Sequence, residues 1–375
     1  MSKVGKVLLT LFLLAGFGAA LFFAMQGQKT EVAEKARTEA IASATELTGI
    51  IALDVEPFFA DERVRKVLAE QRLPVKVTRV GSREMAGKVV PGSLPDFFFP
   101  SGVVAANQIV DAARKANLPM TQSSPFHTPM VIASWAPIAQ ILVANGMAKA
   151  LGDRIYGVDM IKLTRVMLDR KRWKDLQGAS AYDVSRGVLV STTDVRRSNS
   201  AAMYLALTSY AAHGDVLTDR ATARTLAAKL AELFKRQGYQ ENYVNGNFDD
   251  YVSIGIGKTP MAFIYENQLV SYALAKKGVG ADMVLLYPQP TIVNKVVFLA
   301  GSERAKALAD LLARNAELQR IAVEYGFRIA DTGVFMQTVK PTGLAVEERI
   351  TQVIDPPSYE VMAEMIDVVT QEMAQ

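Results

Sequence analysis

The chain has 375 residues, of which 42 are Lys or Arg and 38 are Asp or Glu, and half of them are apolar. A net charge of +4 over such a length lacks the clustered basic surface that a phosphate backbone requires, which argues against nucleic acid as a partner. Cysteine is absent and the two histidines, His127 and His213, lie far apart, so disulfides, thiolate metal centres and cysteine nucleophiles are excluded.

The first 28 residues stand apart from the rest. Lys3 and Lys6 precede an uncharged run over residues 7–25. As a helix this run would extend about 28 Å, enough to span a bilayer. A cleaved signal peptide is the alternative. Its apolar core is usually about 7–15 residues and closes on small residues, whereas this run ends in Phe22-Phe23-Ala24-Met25. An uncleaved transmembrane helix is therefore expected, with the lysines retained in the cytoplasm and everything after residue 28 outside, in the periplasm of a Gram-negative cell. Residues 29–48 (KTEVAEKARTEAIASATELT) are helix formers of mixed charge and predict a solvated helical stalk.

From residue 49 onwards short apolar runs alternate with amphipathic segments. The pattern predicts a strand over 49–53, a helix over 61–71, strands over 75–80 and 95–99, and a helix over 102–116. It continues with a strand over 129–133, helices over 136–147 and 160–168, a strand over 187–191, and helices over 200–213 and 220–237. The last third carries strands over 261–265, 283–287 and 295–299, then helices over 302–315 and 316–325. Such alternation implies an α/β fold with a parallel sheet flanked by helices, and the length implies two domains or one bilobal unit.

One motif invites a nucleotide. In Ser253–Gln268 (SIGIGKTPMAFIYENQ), Gly257-Lys258-Thr259 matches the tail of a phosphate-cradling loop. Such a loop needs glycine at its first position and opens a helix. Here the first position is Val252, Pro260 follows the threonine, and the next residues are strand formers. The segment is expected to be a structural turn entering a buried strand.

Several stretches, taken in order, resemble a known family. YVSIGIGKTPMAFIYENQLVSYAL, then VLLYPQPTIVNKVVFLAG, then LQRIAVEYGFR resemble the second half of the type II solute-binding proteins of bacterial ABC uptake systems, in the molybdate and sulfate branch. Upstream, VKVTRVGSREM, PDFFFPSG, TPMVIASW and STTDVRRSNSAAMYLAL resemble the corresponding earlier segments, and the likeness spans residues 49–331. It implies a two-lobe fold of mixed sheets flanked by helices. Lobe 1 would comprise residues 49–128 and 284–375 and lobe 2 residues 129–283, with crossings near Pro129 and Tyr287. It also implies a non-enzymatic role, capturing a small polar ligand for a permease, without a cofactor. The same fold serving as a tethered sensor or structural partner of an inner-membrane complex is the alternative.

In such folds ligands bind where strands end and helices begin, because the amides there are unpaired. Three turns qualify: Ser82-Arg83, Ser101 at a helix start, and Asn199-Ser200 at another. Each residue also serves as an ordinary helix cap. The resemblance points to Ser101, Ser200 and Tyr265 as anion contacts, while Glu266 would favour an amine. The stretch LDVEPF departs from the family by placing Asp54 where a serine is expected, which weakens the case for a bare anion. Arg196 and Arg197 are further candidates for a carboxylate or oxyanion. Trp135 and Trp173 read as core aromatics, the two histidines as structural, and Asp249-Asp250 as a solvated turn, since most calcium-loop positions are missing. No nucleophile and base pair stands out.

Overall fold

A computed structural model describes residues 44–238, 240, 244–276 and 279–375. The expected membrane span and most of the expected stalk lie outside these residues, and among the described residues no helix is long and apolar enough to cross a membrane.

Among the described residues nine strands are hydrogen-bonded together, eight of them along one path. They are β1 (Leu47–Ile51), β2 (Val75–Arg79), β3 (Phe97–Phe99), β4 (Thr121–Trp135), β5 (Ala148–Gly152), β6 (Ile155–Asp159), β7 (Met261–Tyr265), β8 (Met283–Gln289) and β9 (Val293–Ala300). The order is β2-β1-β3-β9-β4-β8-β6-β5, with β7 also paired to β4. The helices are α1 (Glu56–Ala60), α2 (Glu62–Glu70), α3 (Val103–Lys115), α4 (Ala136–Ala144), α5 (Met160–Leu168), α6 (Asn199–His213) and α7 (Arg220–Lys235). They continue as α8 (Val244–Ser253), α9 (Glu266–Leu274), α10 (Glu303–Arg314), α11 (Ala316–Glu324), α12 (Thr332–Val339) and α13 (Tyr359–Met373).

The long strand β4 organises the molecule. Its first half, through Pro129, pairs antiparallel with β9 in a first sheet that also holds β1, β2 and β3. Its second half, from Met130, pairs antiparallel with β7 and β8 in a second sheet completed by β5 and β6. The sheets are mixed, as the resemblance implied and unlike the parallel sheet that alternation alone suggests: β1 is parallel to both β2 and β3, and β6 to β8, while every strand pair that involves β4 or β9 is antiparallel. Helices do connect many strands, but a strand that serves two sheets reverses direction relative to its neighbours, and no local pattern reports that. The boundary expected at residue 284 falls inside β8, a strand of the second sheet.

One continuous hydrophobic core packs against both sheets. Beneath the first sheet lies a phenylalanine cluster, in which Phe97 stacks on Phe298 with ring centroids 4.8 Å apart and Phe58 meets Phe126 edge-on at 5.2 Å. Gly49 in β1 is required by this packing, because a Cβ there would lie 2.1 Å from the Phe97 ring. Beneath the second sheet, Tyr204 of the almost wholly buried α6 contacts Phe234 and Phe263. Strand β7 is buried at all five positions, as an apolar run covered on both faces should be.

Three local expectations are corrected. Strand β1 begins at Leu47, inside the expected stalk: Leu47, Gly49 and Ile51 alternate into the core while the Leu47 amide donates to the Pro74 carbonyl, and sheet pairing overrides the helix propensity of the preceding residues. Residues 187–191 make only isolated bridges, at Gly187 to Arg172 and at Ser191 to Ala262, so that stretch is not a strand. The chain also continues past the last expected helix into α12 and α13. Helix α13 lies on α7, where Glu364 pairs with Arg220 at 2.9 Å and with Arg224, and Glu372 pairs with Lys235 at 3.2 Å.

The GIGKTP segment is a turn entering a strand, as its sequence implied. Gly255 adopts φ +81°, and the Thr259 amide closes onto its carbonyl at 2.9 Å. Lys258 pairs with Asp250 at 2.6 Å, and the Thr259 carbonyl accepts from the Trp135 indole at 3.0 Å. No helix follows the lysine; the chain enters β7. Trp135 and Trp173 are both buried.

Candidate functional site

Strands β1, β2, β3 and β7 end around one point, and the residues that follow them converge there. The turn after β1 supplies Asp54, the one after β2 supplies Ser82, the one after β3 supplies Ser101 at the entry to α3, and β7 ends in Tyr265. The start of α6 supplies Ser198 and Asn199, and these side chains enclose a cavity of about 30 Å³. A space of this size holds on the order of one water.

Hydrogen bonds tie its walls together on each side, and one contact, from Asn199 to Asn294 of β9, crosses between them. The Ser82 hydroxyl accepts from the Ser101 amide at 3.0 Å, and the Ser101 hydroxyl donates to Asp54 Oδ1 in a very short contact. Asn199 Nδ2 donates to the Tyr265 hydroxyl at 3.1 Å and to Asn294 Oδ1 at 3.5 Å. Gly102 permits this closeness: it sits at φ +82°, and a Cβ there would lie 2.4 Å from Asn199 Nδ2 and 2.6 Å from Asn294 Oδ1.

Three polar atoms here are shut off from solvent and unpartnered among the described residues: Asp54 Oδ2, Asn199 Oδ1 and Asn294 Nδ2. Asp54 is only half-buried as a residue, yet this carboxylate oxygen is enclosed. Burial pushes its carboxyl above the ordinary range, against the lowering effect of the Ser101 hydroxyl. Burial likewise raises the Tyr265 phenol, and the neighbouring Asp54 adds to the effect. Buried polar groups are normally paired, so orphaned atoms clustered in one place call for a partner.

The structure brings Ser82, Ser101, Asn199 and Tyr265 together and sets the other expected residues apart. Ser200 sits one layer behind, its hydroxyl bound to Thr193 at 2.8 Å and to the cavity-lining Ser198 at 2.9 Å. The Arg83 guanidinium is spent on the Val195 carbonyl at 2.9 Å, a contact between the turn after β2 and the segment before α6. Burial lowers its pKa. Arg196 is tied to Asp194 at 2.8 Å, while the exposed Arg197 reaches the cavity mouth.

Glu266, expected beside a ligand, is wholly committed elsewhere. Its carboxylate receives Arg328 Nε at 2.6 Å, Arg328 Nη2 at 2.8 Å and the Tyr287 hydroxyl at 2.6 Å, and it does not line the cavity. Burial alone would depress the Arg328 pKa, but the adjacent Glu266 more than offsets it and raises it. This triad also fastens a C-terminal segment, since Arg328 Nη1 donates to the Glu348 carbonyl at 3.1 Å and the Glu347 amide donates to the Tyr287 hydroxyl at 3.0 Å.

Sequence reasoning missed Asn294 and Gly102 and met Asp54 only as a departure from a pattern. The signal for Asn294 was present as a lone amide inside the apolar run TIVNKVVF. Among the described residues no group of three or more His, Asp or Glu could hold a metal ion.

No family model matches the chain, and no curated protein matches it either. Solved structures do. An ABC transporter structure from Clostridium perfringens is 12% identical, with 87% of this chain and 99% of that one covered and a TM-score of 0.53. What it shares with this chain is the fold. The apo ferric ion-binding protein A of Pasteurella haemolytica is 12% identical, covering 88% of this chain and 96% of that one at a TM-score of 0.51. The sulfate-binding protein SubI of Mycobacterium tuberculosis is 17% identical over 81% of this chain and 93% of that one, at a TM-score of 0.45. The chain therefore shares its mixed-sheet α/β fold with the first two of these structures.

Proposed function

We propose that the chain is an extracytoplasmic solute-binding protein, anchored in the inner membrane by residues 7–25, that captures a small polar ligand between two lobes and passes it to an ABC permease. The observation that carries this reading is the cluster of enclosed, unpartnered polar atoms, Asp54 Oδ2, Asn199 Oδ1 and Asn294 Nδ2, where four strand ends meet. Two of these three atoms are acceptors, and one is a carboxylate oxygen. A fully deprotonated oxyanion such as sulfate or molybdate would face that carboxyl oxygen with only the exposed Arg197 at the mouth to offset the repulsion. The ligand class is therefore a hydroxylated or ammonium-bearing organic molecule, or an oxyanion that keeps a proton to donate to Asp54. The lobes part about the strands that join the two sheets to admit it, since the closed cavity is close to the volume of one water.

A thermal-shift screen of the full chain against polyols, amines, amino acids and oxyanions tests this, because a ligand that binds only the folded state raises the melting temperature. A donor-bearing compound should shift the wild type, and Asp54→Asn should weaken its binding by tenfold or more, the worth of one charge-assisted hydrogen bond. A shift by sulfate or molybdate alone, retained in Asp54→Asn, would overturn the ligand class.

A second reading keeps the fold but uses it as a fixed sensor or structural partner of an envelope complex. It is favoured by the way Arg83, Asn199 and Asn294 close the cleft with the chain's own groups. Copurification with a membrane complex lacking an ATPase, together with no thermal shift across the screen, would select it.

A further inference from the structure

The ribbon formed by β4 and β9 has two faces, and only one looks into the cleft. Successive strand residues point to opposite sides. Asn294 reaches Asn199 and the cleft, so its neighbours Val293 and Lys295 face away. Behind the ribbon they line a cavity of about 710 Å³, closed on its other side by residues at the start of α12 and by the C-terminal segment around residue 350. This volume falls in the range of small-molecule sites, roughly 300–1,000 Å³.

The cavity combines an apolar wall with spare positive charge. Val293, Ile329, Phe335, Ile350 and Val353 line it, and Val353 is 47% exposed. Lys295 and Arg349 stand at its edge, and among the described residues neither side chain has a carboxylate partner. Arg328, stacked 4.5 Å over the Phe335 ring, is neutralised by Glu266 and leaves the local excess to these two. Glu348 is the opposing acid in the lining, so one positive charge remains unmatched.

We propose that this rear cavity is a second ligand site, distinct from the cleft, for an organic anion bearing one charged group on an apolar body. The anion would sit between Lys295 and Arg349, and the body would cover Val293, Ile350 and Val353. Occupancy would join the C-terminal segment to the ribbon that links the two sheets.

The test uses the full chain in phosphatidylcholine nanodiscs and isothermal calorimetry with 2-naphthoate, with 2-naphthol and acetate as separate arms and empty nanodiscs as the blank. Saturable 1:1 binding of 2-naphthoate is expected, with 2-naphthol and acetate each at least tenfold weaker. Lys295→Glu and Arg349→Glu should each weaken 2-naphthoate by tenfold or more while circular dichroism stays native, and Tyr265→Phe should leave it unchanged. Unchanged affinity in both charge reversals, 2-naphthol binding as well as 2-naphthoate, or loss of binding in Tyr265→Phe would overturn the proposal.

Discussion

The two cavities on either side of the β4–β9 ribbon differ in volume and in the chemistry of their walls. The cleft is about 30 Å³, its walls are serine, asparagine, tyrosine and a half-buried aspartate with Arg197 at the mouth, and Asn199 reaches Asn294 across it. The rear cavity is about 710 Å³, with aliphatic walls and basic side chains at an open mouth. One residue step along β9 separates them, since Asn294 belongs to the first and Val293 and Lys295 to the second. The difference teaches that the cleft's polar groups are mutually satisfied up to a few orphaned atoms, so small changes there should be costly. Lys295, Arg349 and Val353 of the rear cavity are exposed, and neither cation has an ion-pair partner among the described residues, so changes at these positions should register in binding and not in stability.

The largest effect is expected in the wall that both regions lean on. Glu266→Ala leaves Arg328, whose side chain is 5% exposed, as an unpaired buried cation. Breaking such a pair costs about 3–5 kcal/mol. Denaturant titration should find a loss of that size, and a loss below about 1 kcal/mol would show that the triad does not support the junction.

Gly102→Ala comes next. It puts a Cβ 2.4 Å from Asn199 Nδ2 at a backbone φ of +82°, so the strain of the left-handed conformation adds to a clash in a filled cleft. About 1–3 kcal/mol of stability should be lost. An unchanged midpoint would mean that the cleft yields freely and that the contrast drawn above is too sharp.

Asp54→Asn should give a smaller change, and its sign is the informative part. The Asp54 carboxyl is raised in the folded protein, so between the ordinary carboxylate value and the folded value the native state binds more protons than the unfolded chain. The wild type should therefore lose stability as pH rises through that window and carry the full penalty above it. Asp54→Asn, which has no charge to bury, should show a flatter profile across this window. A steeper profile in the variant would contradict the burial of this carboxyl.

The smallest effect is predicted behind the ribbon. Arg349→Ala removes an exposed side chain with no ion-pair partner among the described residues, so stability should move by no more than about 0.5 kcal/mol. Together with the loss of 2-naphthoate binding expected for its charge reversal, a thermal melt matching the wild type would separate binding from folding on this face.

Periodicity in the sequence determined where most elements lie. Helix α5 and strand β7 fall on residues 160–168 and 261–265 as their patterns imply, because a 3.6-residue or continuous apolar run must be buried whatever surrounds it. The turn character of GIGKTP was equally legible, since Val252 stands where a phosphate loop needs glycine and the run after Pro260 is made of strand formers rather than opening a helix. Ser82, Ser101, Asn199 and Tyr265 could be named because strand ends and helix starts are local features. What remained for the tertiary structure was non-local. Whether Glu266 faces a ligand or Arg328 depends on a partner 62 residues away. That Asn294 belongs to the cleft depends on Gly102 and Asn199 meeting it across the sheets. The directions of β4 and β9, the docking of α13 on α7 and the cavity behind the ribbon depend on which long-range pairings close best. A sequence records the propensity of each segment and the polarity of each side chain, but the identity of the neighbour that a polar side chain finds is decided only when distant segments pack.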